Sequence, residues 1–288
     1  MFLDFVQRHG DALSSVRDRK TLSRWHREFA GEWVANAKKL AASGNKSLGL
    51  SGNKVLQPEV GYLAVEQQKA SRKEATSTWI LLSANPGWHS STSAHEKRAK
   101  GLAGGGSPDL DSYERYRTAY FPSWYKKVVC ASGAKKSLWW NSAAKFLHDV
   151  AGLEHPAQKC AFHPRLDIIG WELWPFHSER DGLTSASSKD EALRDFAMSS
   201  FRAACRMDAD GVIVASAAGY KLLRKEHEDE FTILTDELLG GVSCSAMRHS
   251  VSGRRVFAIG KQLFASWSPS RATRAEIVEF VRGCPRKL

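Results

Sequence analysis

Four short apolar runs, at residues 79–82, 166–174, 211–215 and 255–259, most constrain the fold of this chain. Each run has the length of a buried strand and ends at a break that contains Gly, Pro, Ser or Asn. Amphipathic segments that can form helices separate the runs. Strands that alternate with helices indicate a mainly parallel sheet with helices on both faces. We therefore predict a three-layer α/β/α fold around a central, mainly parallel four-stranded sheet.

Helical periodicity is clear in residues 21–43, where apolar side chains recur every three or four positions and Gly44 is the predicted stop. That stripe consists of Leu22, Trp25, Phe29, Trp33, Ala37 and Leu40. Residues 44–58 are predicted to form a loop because they are rich in Gly, Ser, Asn and Lys. We predict two parts: a helical N-terminal extension, residues 1–78, packed on a core domain, residues 79–288.

Three later helices are also predicted. The first of these helices is predicted over residues 137–150. The second is predicted to follow a capping box that runs from Ser188 to Glu191, and the last is predicted to begin at Thr273. The inward face of the second is predicted to carry Leu193, Phe196, Ala197, Phe201 and Ala204. A shorter helix is expected over residues 220–226.

The chain is strongly basic. Its 288 residues include 42 Lys and Arg against 31 Asp and Glu, for a net charge of +11. A protein of this charge typically meets a polyanion, although a basic surface without a nucleic-acid role is the alternative. The five cysteines form no CxxC pair, which favours a reducing compartment. With no signal peptide or membrane span in the sequence, we expect a cytoplasmic protein without an obligate protein partner.

Polar residues follow each apolar run, and right-handed crossovers place the loops after parallel strands at one edge of a sheet. Asn85-Pro86-Gly87 ends the first run, Pro175-Phe176-His177-Ser178 the second, and Ser216 the third. Ser268-Pro269-Ser270-Arg271 comes between the fourth run and the last helix. In open α/β sheets this edge binds ligands, so we expect Asn85, His177, Ser216 and Ser268 to lie near one another.

In the order and context of these motifs, the chain resembles the uracil-DNA glycosylase superfamily. Asn85-Pro86-Gly87 after a buried strand is similar to that superfamily's first motif. Ser268-Pro269-Ser270 before a last helix is similar to its second, which is usually His-Pro-Ser. The resemblance covers residues 79–283 and leaves out the helical N-terminus. It implies a monofunctional enzyme that needs no metal or cofactor, flips a nucleotide out of DNA and hydrolyses its glycosidic bond.

The resemblance also implies roles for individual residues. Asn85 would hold a water beside the cationic sugar of the transition state, and His177 would donate to the departing base as the second catalytic residue. The other residues implied to contact substrate are Gly87, Trp88, Glu172, Phe176, Ser178 and Ser216, with Trp88 or Phe176 stacking on the flipped base. Contacts to DNA are implied for His89, Ser268, Ser270 and Arg271.

Departures from the family pattern suggest a substrate other than plain uracil. Gly87 stands where uracil-specific members often carry a Tyr that excludes larger pyrimidines. Glu172 stands where an Asn that reads uracil is expected, and it can accept from the exocyclic amine of cytosine. These residues favour a modified pyrimidine, such as the glucosylated hydroxymethylcytosine that bacterial anti-phage members of the superfamily remove. A repair glycosylase for uracil or damaged bases, an inactive modified-base binding module and an unrelated hydrolase of nucleosides are the alternatives.

Each candidate residue also has a purely structural interpretation. Asn85 can cap its turn, His177 can be a half-buried histidine with satisfied hydrogen bonds, and Glu172 can point outward from its strand. Ser268 to Arg271 can be an ordinary helix cap followed by a surface arginine. Aromatic and basic residues interleaved in residues 112–131 suit a strand-binding groove or a helix with an aromatic face. His155, Cys160 and His163 lack a fourth zinc ligand, so no metal is predicted.

Overall fold

The computed structural model describes most of the elements that the sequence predicts. The residues it describes are 1–51, 65–66, 76–84, 138–154, 165–174, 176, 186, 190–226, 229–261, 263–264 and 269–284. The helices in these ranges are α1 (Phe2–Leu13), α2 (Arg19–Ser47), α3 (Leu138–Ala151), α4 (Glu191–Arg206), α5 (Ala217–Glu226) and α6 (Arg271–Gly283). The strands are β1 (Val65–Glu66), β2 (Ser77–Ser83), β3 (Leu166–Glu172), β4 (Gly211–Val214), β5 (Phe231–Leu239), β6 (Val242–His249) and β7 (Arg255–Ile259).

The strands form one sheet in the order β1-β3-β2-β4-β7-β6-β5. The α/β class is confirmed, but within the described ranges the sheet has seven strands and not the predicted four. The four predicted strands are the adjacent β3, β2, β4 and β7, and β4 is parallel to both β2 and β7. Antiparallel strands flank them: β1 pairs with β3, and the β5–β6 hairpin pairs through β6 with β7. The three-layer arrangement stays a prediction.

Hydrogen bonds at both ends of β2 and β3 fix the relative direction of these two strands. At their starts, the backbone N–H groups of Thr76 and Ser77 donate to the carbonyl oxygen of Arg165, at 2.9 and 3.1 Å. Just beyond their ends, the N–H of Trp174 donates to the carbonyl oxygen of Ala84 at 3.0 Å. Because the two strands start side by side and end side by side, β2 and β3 run in the same direction.

The chain divides into two compact units, each assembled from separated segments. One contains α1, α2, α4, Ala84 and the segment Glu172–Met207. Its core is a cluster of aromatic rings with centroids 5.1–6.4 Å apart, formed by Phe2, Phe5, Phe29, Trp33, Phe176 and Phe196. Aromatic pairs in this range each add about 0.5–1.5 kcal/mol beyond the burial of their area.

The other unit contains the sheet up to Trp171 of β3, with α3, α5 and α6. α5 packs on β7, and α6 packs against α3 and against β5 and β6. The buried ring of Trp79 lies 6.2 Å from that of Phe257, which lies 6.3 Å from Phe280 of α6. These rings anchor the last helix to the middle of the sheet.

Several helix boundaries differ from the predictions. α2 begins at Arg19, two residues before the predicted start, and α5 begins at Ala217, three residues before the predicted start. α2 continues three residues beyond Gly44 to Ser47, and the chain turns only at Gly49, whose φ of 62° favours glycine. α4 is capped by Asp190, whose carboxylate accepts from the N–H of Leu193 at 3.1 Å, and not by Ser188. α6 begins at Arg271, before Thr273.

Candidate functional site

Several of the predicted site residues lie outside the described ranges, so their roles stay predictions. These are Asn85, Gly87, Trp88, His89, His177, Ser178 and Ser268. The described ranges also leave out residues 112–131 and the three residues considered as zinc ligands, His155, Cys160 and His163. Five candidates are described: Glu172, Phe176, Ser216, Ser270 and Arg271.

The segments that leave β2 and β3 start side by side. Ala84 is the last described residue before Asn85, and its carbonyl oxygen accepts the hydrogen bond from Trp174, two residues after Glu172. The indole Nε1–H of Trp174 donates to the carbonyl oxygen of Leu193 in α4 at 2.9 Å, which holds this turn against the helix. Both hydrogen bonds lie within one unit. The structure therefore places Ala84, which directly precedes the Asn-Pro-Gly motif, beside Trp174, two residues after Glu172.

Glu172 is the most perturbed ionisable group that is described at this place. The residue as a whole is partly exposed, yet its Oε2 is withdrawn from solvent and has no hydrogen-bond partner among the described residues. Burial disfavours the charged form and raises the pKa of this carboxyl to about 8, from an ordinary value of 4.5. At neutral pH Glu172 is a carboxylic acid that has one O–H to donate and one carbonyl oxygen to accept. A perturbed, unpaired carboxyl at a strand end is typical of a functional site.

Phe176 belongs to the aromatic core. Its side chain is 0% exposed, and its ring contacts those of Trp33 at 5.1 Å, Phe2 at 5.2 Å and Phe29 at 5.7 Å. This packing accounts for the residue and leaves no open ring face for the base stacking predicted for it. Of the two predicted stacking residues, Trp88 is therefore the one we retain.

Ser216 caps α5. Its Oγ accepts from the N–H of Gly219 at 3.0 Å, its carbonyl oxygen accepts from the N–H of Tyr220 at 3.0 Å, and it is buried. A serine in this position satisfies an otherwise unpaired helix donor, so its predicted contact with substrate has a structural alternative.

Ser270 caps α6 in the same way. Its Oγ accepts from the N–H of Thr273 at 3.1 Å and lies 3.0 Å from the hydroxyl oxygen of that residue. Arg271, the first residue of the helix, is exposed. An exposed arginine at a capped helix start is compatible with the predicted grip on phosphate and with an ordinary cap.

A polar cluster that the sequence analysis missed lies at the opposite edge of the sheet, where β2, β4 and β7 begin. The carboxylate of Asp210 accepts from the hydroxyl of Ser77 at 2.7 Å and from the N–H of Thr78 at 3.0 Å. Arg255 donates to the carbonyl oxygens of Asp210 at 3.3 Å and Cys284 at 2.7 Å. A cavity of about 420 Å³ opens there. Because these contacts tie strand starts and the end of α6 together, we interpret the cluster as structural; the consecutive Arg254 and Arg255 were its only signal.

Within the described ranges, no three His, Cys, Asp or Glu side chains are gathered as metal ligands would be. None of the described helices combines the length and the apolar character that crossing a bilayer requires.

Comparison of the chain with protein-family models, with curated proteins and with solved structures finds no match. The resemblance to the uracil-DNA glycosylase superfamily therefore depends on the motifs themselves and on the parallel strands that precede them.

Proposed function

We propose that this protein is a DNA glycosylase that removes a modified cytosine and leaves an abasic site. The observation that carries the proposal is the carboxyl of Glu172, whose Oε2 is buried without a partner among the described residues and which stands two residues before Trp174, the hydrogen-bond partner of Ala84. A buried carboxyl oxygen without a partner costs stability, and departures of this kind are expected at functional sites.

The neutral form of Glu172 matches one edge of cytosine. Its carbonyl oxygen can accept from the N4 amine while its O–H donates to N3, which has a lone pair. Modifications at C5, such as a glucosylated hydroxymethyl group, leave these two atoms unchanged. With Gly87 in place of a bulky residue, the site would have room for such a group.

The same carboxyl can assist the chemical step. As the bond between C1′ and N1 breaks, the bonding electrons pass to the base, and the proton of Glu172 moves to N3 to give the neutral base. Water, held by Asn85, adds to C1′, and its released proton restores the acid form of Glu172 through solvent. His177 and Ser178 donate to the remaining edge of the base. A proton supplied in the transition state typically contributes about 10²–10⁴-fold to the rate.

The test uses duplex oligonucleotides that each contain a single uracil, cytosine or glucosylated hydroxymethylcytosine, scored for alkali-labile sites. The variants are Asn85→Ala, Glu172→Gln and, as a matched control, Glu276→Gln, which changes an exposed glutamate of α6. We expect Glu172→Gln to lower kcat on the modified cytosine by about 100-fold or more and the control to change it little. The wild-type rate should fall as pH rises through about 8, where Glu172 loses its proton.

Two outcomes would contradict this proposal. Absence of cleavage above the Asn85→Ala background on every substrate would leave a binding module or an unrelated hydrolase. Cleavage of uracil alone, with Glu172→Gln as active as wild type, would indicate a repair enzyme in which Glu172 does not read the base.

A further inference from the structure

The exposed face of α2 is a basic surface that none of the predicted motifs includes. At about 100° per residue, six exposed basic side chains fall within an arc of roughly 120°. They are Lys20, Arg24, Arg27, Lys38, Lys39 and Lys46. The opposite face is buried and carries Trp25, Phe29, Trp33 and Leu40.

α2 itself carries few acidic side chains beside these six basic ones. α2 contains two carboxylates, and only Glu28 lies within the basic arc. Glu32 lies beside the arc, where both of its oxygens accept from Arg8 of α1, at 2.6 and 3.2 Å, and one lies 3.0 Å from His9. It is thus already engaged with α1. The basic arc therefore presents a surplus of positive charge along the helix.

The charges form two groups, one before and one after the middle of the helix. The centre of the first group, Lys20, Arg24 and Arg27, is about 26 Å along the axis from the centre of the second, Lys38, Lys39 and Lys46. Between them the arc carries Gly31 and Ala35, which have little or no side chain. The helix, about 43 Å long, exceeds one turn of B-DNA, about 34 Å. A rigid rod with this spacing suits the regular phosphates of a duplex.

The arc has no aromatic residue, which argues against a single strand as its partner. Proteins that bind unpaired strands combine basic charge with exposed rings on which the bases stack. On α2, all the aromatic side chains lie on the buried face. We propose that the exposed face of α2 binds the sugar–phosphate backbone of duplex DNA without reading its sequence. The charge supports any polyanion; the choice of DNA rests on the proposed function.

The aromatic core links this surface to the candidate site. Trp33 and Phe29, on the buried face of α2, pack 5.1 and 5.7 Å from the ring of Phe176. Phe176 follows Glu172 by four residues in the same unit. Duplex held on α2 would therefore lie at a set distance from Glu172, and the N-terminal helices gain a role in presenting substrate.

The experiment compares two fourfold variants that remove the same charge. In the α2 variant, Lys20, Arg24, Lys38 and Lys39 become Gln; in the control variant, the exposed Lys145, Lys221, Lys225 and Arg282 of the other unit become Gln. Gln preserves helix propensity, and circular dichroism checks that both variants fold. Affinity for an unmodified duplex is measured against salt concentration.

We expect the α2 variant to lose about fivefold in affinity per phosphate contact at physiological salt, and its log–log salt slope to fall by about 0.9 per contact. The control should stay within about threefold of wild type. Equal losses in both variants, or no loss in the α2 variant, would overturn the proposal. The proposal would also be overturned if the α2 variant kept its affinity for duplex and lost only its binding to an unpaired oligonucleotide or to phosphatidylserine vesicles.

This result is independent of glycosylase activity, because the duplex contains no modified base. If duplex binding is lost as expected but no base is ever excised, the surface stands and the proposed function fails. If bases are excised and the α2 variant binds duplex as tightly as wild type, the function stands and the surface is wrong. Where both hold, the α2 variant should raise KM for the modified duplex while kcat changes little.

Discussion

Replacing Glu172 with Gln should stabilise the protein, and the gain should grow with pH. The folded-state pKa of this carboxyl is about 8, against an ordinary value of 4.5 that applies to the unfolded chain. Between these two values the folded state holds a proton that the unfolded state has released. The free energy of unfolding therefore falls as pH rises from 4.5 to 8 and is constant above that range.

The size of the effect follows from the pKa difference. Each pKa unit is worth about 1.4 kcal/mol, so the raised pKa lowers the free energy of unfolding by about 3 kcal/mol at pH 7 and by about 5 kcal/mol above pH 8. Gln keeps the shape and has no charge to bury. The variant should match wild type near pH 4.5 and exceed its stability by about 3 kcal/mol at pH 7. This is a large share of the 5–15 kcal/mol typical of a folded domain.

The assay is urea denaturation of wild type, Glu172→Gln and the exposed control Glu276→Gln at several pH values, followed by tryptophan fluorescence. The difference between Glu172→Gln and wild type should rise between pH 4.5 and 8 and then level off. The control should follow wild type throughout. A Glu172→Gln difference that is independent of pH would refute the burial argument. A destabilised variant at pH 7 would show that the carboxyl has a stabilising partner.

Two substitutions of glycine test the packing of the sheet unit. In the hairpin turn, a Cβ on Gly240 would lie 2.8 Å from Cγ2 of Thr273 and closer still to its hydroxyl, whereas one on Gly241 would meet nothing within 4 Å; both have positive φ. Gly241→Ala should lower the free energy of unfolding by about 1 kcal/mol, because only backbone strain opposes it. Gly240→Ala should lower it by about 1–3 kcal/mol more, because its Cβ also overlaps Thr273. Equal losses for the two variants in urea denaturation would contradict this overlap. Gly211→Ala would place its Cβ 2.7 Å from the ring of Trp79 and should cost about 1–3 kcal/mol, with a blue or red shift of tryptophan fluorescence; unchanged stability would mean that the ring can move aside.

The predicted strands are those that carry an apolar run. β4 and β7 are buried at every position, and apolar residues fill β4 and residues 256–259 of β7. β6 is also mostly buried, but Ser243, Ser245 and Arg248 interrupt its apolar residues. β5 lies at the edge of the sheet and is partly or fully exposed along most of its length, which removes that signal. Its polar Thr235, Asp236 and Glu237 pair with β6 through the backbone. The turn residues Gly240-Gly241 were the available sign of this hairpin.

Gly44 illustrates why glycine alone is a weak stop signal. It lies on the buried side of α2, near Ser43, whose hydroxyl accepts from the N–H of Phe2 at 3.2 Å. The helix ends where Gly49 adopts a positive φ, and that conformation cannot be recognised from composition.

The candidate site was also predictable from the sequence only in part. That Glu172 ends a strand was predictable, but the raised pKa depends on what packs around the carboxyl and had no sequence signal. The basic face of α2 was visible in the spacing of its lysines and arginines, yet the aromatic stripe of the same helix drew the interpretation toward packing. The place of Phe176 after a strand predicts a contact with substrate, and only the positions of α1, α2 and α4 show that its ring is enclosed.

Affinity and chemistry would therefore reside in different parts of the same unit. Phosphate contacts along α2 would supply binding energy that is the same for every base, and such energy cannot distinguish a modified cytosine from its neighbours. Discrimination must come from the flipped base, where Glu172 would gain its missing hydrogen bonds only with a base that offers both a donor and an acceptor. The free energy spent on keeping that carboxyl buried and unpaired is then recovered in the complex with substrate. A wrong base would leave the cost unrecovered, because a buried polar group without its partner penalises binding more than a satisfied one favours it.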